Sequence, residues 1–133
     1  MSEISNYVEA FEACSRRIGL NISKLNYLDC TESDDIEPLL KMSSVTERIS
    51  VFTIVRKPDN TRRIEKLILD QIFEKTTQTT VMLQTSINNL PDAMYHVILL
   101  KQSQDLKPYQ RLLAKNGCFI IVGNEKLSVV PGN

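Results

Sequence analysis

At 133 residues the chain has the length of one domain and is long enough to bury a core without disulfides or metals. Sixteen Lys and Arg balance sixteen Asp and Glu, with the two signs interspersed, so no one-sign field points to nucleic acid or an anionic membrane. The apolar runs are far shorter than a membrane span, and the polar Met1-Ser2-Glu3 start lacks the layout of a signal peptide, which predicts a cytoplasmic protein.

Ile4, Tyr7, Val8, Phe11, Cys14 and Ile18 recur at helical spacing and predict a first amphipathic helix, with Ser2 or Ser5 as its cap and Gly19 as its stop. Ile22, Leu25, Tyr27 and Leu28 read as a short strand ending at Asp29-Cys30-Thr31-Glu32-Ser33. Ser33 or Asp34 can then cap a second helix carrying Ile36, Leu39, Leu40 and Met42. Residues 49–55 form a β-branched, near-continuous apolar run of the kind buried on both faces of a parallel sheet, and Arg56-Lys57-Pro58-Asp59-Asn60 turns the chain into a third helix. Ile64, Leu67, Ile68 and Ile72 mark that helix's inward stripe.

Residues 79–83 read as the next strand, and the linker over 86–93 is too short for a helical crossover. It therefore joins an antiparallel pair or two parallel strands that are not sheet neighbours. Residues 94–100 and 118–122 are again buried strands. Between them Asp105 can cap a helix, Pro108 fits its first turn, and Leu106, Tyr109, Leu112 and Leu113 share a face. Asn116-Gly117 supplies a left-handed stop, and Leu127, Val129 and Val130 suggest a last short strand after Gly123-Asn124. The order α-β-α-β-α-β-β-α-β-β is that of a single α/β domain over 1–133, three-layered and Rossmann-like, with a mainly parallel sheet and helices on both faces.

The words Leu90-Pro91, Met94-Tyr95-His96-Val97-Ile98-Leu99 and Leu112-Leu113-Ala114-Lys115-Asn116-Gly117-Cys118-Phe119-Ile120-Ile121 resemble the fourth through fifth strands of a class I S-adenosylmethionine-dependent methyltransferase domain. Leu25 to Ser33 is placed like that family's first strand and glycine-rich cofactor loop. The resemblance implies a cofactor pocket at Asp29, Cys30, Glu32, Ser33, Arg56 and Lys57.

Those positions depart from the family's wording. A glycine-rich loop lets the backbone approach a cofactor where a Cβ would clash, and the only glycines here are Gly19, Gly117, Gly123 and Gly132. Where the family places an acid to accept the ribose hydroxyls stands Arg56-Lys57, which donates but cannot accept. The expectation is therefore a degenerate domain similar to the pseudo-methyltransferase region of animal fatty acid synthases. It binds no cofactor, has no catalytic residues, and serves as a scaffold or interaction module with a protein partner. The alternative is an active methyltransferase with an aberrant cofactor loop.

Other candidates read as structural. Cys14, Cys30 and Cys118 form no Cys-x-x-Cys pair, which argues against structural zinc and a disulfide framework. Cys14 and Cys118 fall on apolar faces, and the acids around Cys30 disfavour a thiolate. His96 is the sole histidine and reads as a hydrogen-bonded strand residue. The acids Asp29, Glu32, Asp34, Asp35 and Glu37 lack calcium-loop spacing, so no metal is expected. Arg62-Arg63 reads as solvated charge, and Met42, Met82 and Met94 as core filler.

Overall fold

The computed structural model describes residues 2–4, 6–31, 37–43, 48–54, 78–84, 88, 90–124 and 126–132. Among them runs a seven-stranded sheet. Its strands are β1 Ser2–Ile4, β2 Tyr27–Asp29, β3 Arg48–Ile54, β4 Gln78–Gln84, β5 Tyr95–Lys101, β6 Leu113–Val122 and β7 Leu127–Pro131. Their order is β1-β7-β6-β5-β2-β3-β4. The pairs from β6 through β5, β2 and β3 to β4 are parallel, while β7 is antiparallel to β6 and β1, so the sheet is mixed.

Period-two alternation sends neighbouring residues of the central strands to opposite faces. Tyr27, Val97, Leu99, Cys118 and Ile120 form one buried cluster, and Leu28, Ile98, Leu100 and Phe119 the other. Both sets are fully or almost fully buried, which is why these strands read as continuous apolar runs.

The first face is covered by α1, Tyr7–Ile18, which packs Ala10, Phe11 and Cys14 against it. Phe11 meets Tyr27 edge-on with ring centroids 5.0 Å apart, an arrangement that adds about 0.5–1.5 kcal/mol to burial alone. The helix begins where the Asn6 side chain accepts the Glu9 N–H at 2.8 Å. It ends at Gly19, whose φ of 82° turns the chain left-handed. A second helix, α2 Glu37–Ser43, contributes buried Met42 to the same cluster. On the other face Leu90, Tyr95 and Leu112 are buried, with Leu106 and Tyr109 packed beside them.

Several expectations are corrected. The cap of α1 is Asn6, not Ser2 or Ser5, because Ser2–Ile4 pairs with β7 as a strand. Ile22–Lys24 is a 3-10 turn, so β2 starts only at Tyr27. The crossover between β5 and β6 is a six-residue 3-10 helix, Lys107–Leu112, and not an α-helix. Its N-cap is Leu106, not Asp105, and no side chain caps it; Asp105 sits one residue earlier and accepts the Lys107 N–H at 3.1 Å, while Pro108 lies in the first turn. However, β6 opens at Leu113, which leaves room only for tight i to i+3 bonding such as Leu113 N–H to the Gln110 carbonyl.

Asn116 is left-handed as expected, with φ of 65°, yet it lies inside β6. There the pairing jumps from Tyr95–Leu113 to Val97–Cys118, so β6 carries three extra residues against β5. Met94 is exposed, not core filler, and the Met82 side chain lies outside the described set. So does the third helix over 62–75. The short linker after β4 joins two parallel strands that are not neighbours, β4 and β5, which lie on opposite sides of β2.

Candidate functional site

In an open α/β sheet the chain leaves successive strands in one direction until the order reverses, and ligands bind outside the carboxyl ends of the strands at that switch point. Here the reversal lies between β2 and β5. From β2 the chain steps outward to β3 and β4, then returns to β5 on the other side and proceeds to β6. The crevice is therefore framed by the segments that leave the sheet after Asp29 and Lys101.

Asp29 is the last residue of β2 and is buried with 4% exposure. A carboxylate so placed needs hydrogen bonds, and its Oδ1 accepts the Thr31 N–H at 2.8 Å and the Thr31 hydroxyl at 2.7 Å. This Asx turn swings the chain out of the sheet at the crevice. Between them Cys30 is fully buried, and its N–H donates to the Leu99 carbonyl at 3.0 Å, one rung beyond β2.

Gln104 forms the opposite wall. Its Oε1 accepts the Lys101 N–H at 2.7 Å, while its Nε2 donates to the Cys30 carbonyl at 3.0 Å and to the Tyr109 hydroxyl at 3.1 Å. One amide thus joins the ends of β2 and β5 to the 3-10 helix. Sequence reasoning missed this residue, because its Cys30 partner, 74 positions away, comes within reach only once β2 and β5 are placed side by side.

Of the positions expected to form the pocket, Asp29 and Cys30 lie at the switch point, whereas Glu32, Ser33, Arg56 and Lys57 lie outside the described residues. His96 lies elsewhere. It is five residues before the end of β5, roughly 16 Å along the strand, and its Nδ1 accepts the Asn26 N–H at 2.9 Å. Burial lowers its pKa below the usual histidine value.

Cys14 and Cys118 are both fully buried in the α1-facing core. The hydrogen bond to Cys118, and then burial, push the Cys14 thiol far upward, away from nucleophilic chemistry. Among the described residues no group of three or more His, Cys, Asp or Glu could hold a metal, and no helix is long and apolar enough to cross a membrane.

No protein-family model matches the sequence, and no curated protein matches it. Solved structures do share its fold. A Methanococcus maripaludis protein assigned as an S-adenosyl-L-methionine-dependent methyltransferase aligns with TM-score 0.61 and 16% identity, over 90% of this chain and 56% of its own. Precorrin-6y C5,15-methyltransferase from Geobacter metallireducens gives 0.58 and 14%, over 85% and 60%. An rRNA methylase from Streptococcus thermophilus gives 0.57 and 9%, over 90% and 72%. The chain spans about half the length of the first of these. At such identities the likeness concerns the fold, and the chain has the α/β fold of class I S-adenosylmethionine-dependent methyltransferases.

Proposed function

We propose that the chain is the S-adenosylmethionine-binding core of a methyltransferase, a single three-layer domain over 1–133 with its cofactor site in the β2/β5 crevice. The observation that carries this reading is the buried Asp29, which turns the chain outward at the carboxyl end of β2 on the switch point of a methyltransferase-like sheet. The Asp29–Thr31 turn and Cys30 form the inner wall. Glu32 and Ser33 follow Thr31 in sequence, and Arg56 and Lys57 follow β3 in sequence.

When bound, the cofactor supplies an electrophilic methyl group. The contribution of the chain would be to hold the cofactor's sulfonium and the acceptor in line and to exclude water. Calorimetric titration with S-adenosylhomocysteine tests this. Saturable binding with protection of amides over 28–33 is expected, and no heat at about millimolar ligand, a weak-binding limit of roughly 4 kcal/mol, overturns it.

A second reading is the cofactor-free scaffold, similar to the pseudo-methyltransferase region of fatty acid synthases and acting through a protein partner. Two observations favour it. Residues 30–36 contain no glycine to admit a cofactor closely, and the crevice is bridged by Gln104. Absence of cofactor binding leaves this reading in place.

A further inference from the structure

The bulge in β6 shapes the surface beside it. Between the pairs Tyr95–Leu113 and Val97–Cys118 the strand carries three extra residues, which re-aim side chains that a regular strand would send alternately to its two faces. They border a pocket of about 340 Å³ between the 3-10 helix, the start of β6 and Gly132 after β7. Because β6 runs parallel to β5, with Leu113 opposite Tyr95 and Val122 opposite Lys101, the pocket lies at the other end of these strands from the β2/β5 crevice.

The floor of the pocket is apolar. Leu113 and Ala114 line it half-buried, and the methyl groups of Leu113 pack on backbone left bare by two glycines. A Cβ on Gly132 would run into one of those methyls, and a Cβ on Gly117 would come within 3.0 Å of the other. The Gly132 N–H donates to the Gly117 carbonyl at 3.0 Å, which ties the two backbones together beneath the floor.

The rim is polar. Gln110, Lys115 and Asn116 are exposed around it, and their side chains make no hydrogen bond or ion pair with the described residues. Lys115 carries the only charge among the residues that line the pocket. We propose that this pocket binds a small organic acid, with the carboxylate at Lys115 and the two amides and an apolar stem on Leu113 and Ala114.

The chemistry of the lining selects that class. An ammonium supplies charge and both amides can donate to carboxylate oxygens. A single cation balances the single charge of a carboxylate, whereas a phosphate group carries more than one at neutral pH. The apolar floor favours an acid with a stem of a few carbons over a bare ion, since a pocket of this size holds its ligand mainly by burying apolar surface and orients it with a few polar groups. The site shares no residue with the crevice, so it does not depend on the cofactor reading.

Titration of the isotope-labelled chain with butyrate, followed by NMR at the side-chain amides of Gln110 and Asn116, tests the assignment. Both signals should shift along one saturable curve with a Kd of about 1 mM. Lys115→Gln should weaken binding about fivefold, as for one solvent-exposed charge pair. It should leave the thermal midpoint unchanged, because Lys115 has no partner among the described residues. Lys107→Gln removes the same charge at an exposed position outside the pocket and should leave binding unchanged. Butyramide, which has the stem without the charge, and inorganic phosphate, which has charge without the stem, should both bind more weakly than butyrate. No saturable shift at the two amides, equal weakening in the two lysine variants, or butyramide or phosphate binding as tightly as butyrate overturns the site.

Discussion

His96 shows how one side chain can set a pH limit away from the crevice. Its Nδ1 accepts the Asn26 backbone N–H and the His96 backbone N–H donates to the Asn26 carbonyl, both at 2.9 Å, so the two residues clamp the amino ends of β2 and β5. An imidazolium cannot accept, and burial places the folded pKa below the ordinary 6.5. Below that value the unfolded chain binds more protons than the folded one. The contribution is therefore complete above about pH 6.5 and is lost as pH falls toward the lowered folded value. Urea denaturation should give a lower midpoint near pH 5 than near pH 7.5, and His96→Gln should remove part of that slope; an unchanged slope contradicts the role. Asp29 acts at the same scale. In Asp29→Ala the buried Thr31 N–H and hydroxyl lose their acceptor, at a cost of about 1–3 kcal/mol in urea denaturation. Asp29→Asn keeps an acceptor and should cost less.

Among the elements, β6 separates what local sequence specifies from what the sheet decides. Asn116-Gly117 was legible as a left-handed step, because Asn and Gly tolerate positive φ, and Asn116 indeed has φ of 65°. Its place was not legible. Whether such a step ends a helix or bulges a strand depends on β5, whose Tyr95-to-Val97 advance must be matched by residues 113–118. At Gly117 an added Cβ would lie 2.9 Å from the Ala114 carbonyl oxygen and 3.0 Å from that of His96, both rigid backbone. Gly117→Ala is therefore expected to destabilise by about 1–3 kcal/mol, whereas Asn116→Gly should be neutral or stabilising; equal thermal midpoints for Gly117→Ala and the unmodified chain contradict the bulge. The three-residue β1 is too short to carry a period of its own, so Ile4 was absorbed into the periodicity of α1. The crossover failed for a related reason: Leu106, Tyr109, Leu112 and Leu113 fit one face of an α-helix, and the early start of β6 compressed the segment into 3-10 turns.

For the whole molecule, buried strands were readable because their apolar runs follow from burial on both faces, and the length of the linker after β4 already required β4 and β5 to be separated if parallel. The site was readable only where one segment makes it, as at Asp29 to Thr31. Gln104 acts through Cys30 and Lys101 on two strands, which no local pattern records. All three cysteines are buried, so thiol labelling of the native protein should proceed only through opening of the fold and should accelerate in step with urea unfolding; rapid labelling of native Cys30 contradicts its place in the wall. The crevice itself is tested most directly by calorimetric titration of the unmodified chain with S-adenosylhomocysteine, followed by amide exchange over 28–33 and at Lys101. Saturable binding that protects the Asp29–Thr31 turn is the expected result, and no binding at about millimolar ligand contradicts a cofactor site at the β2/β5 switch point.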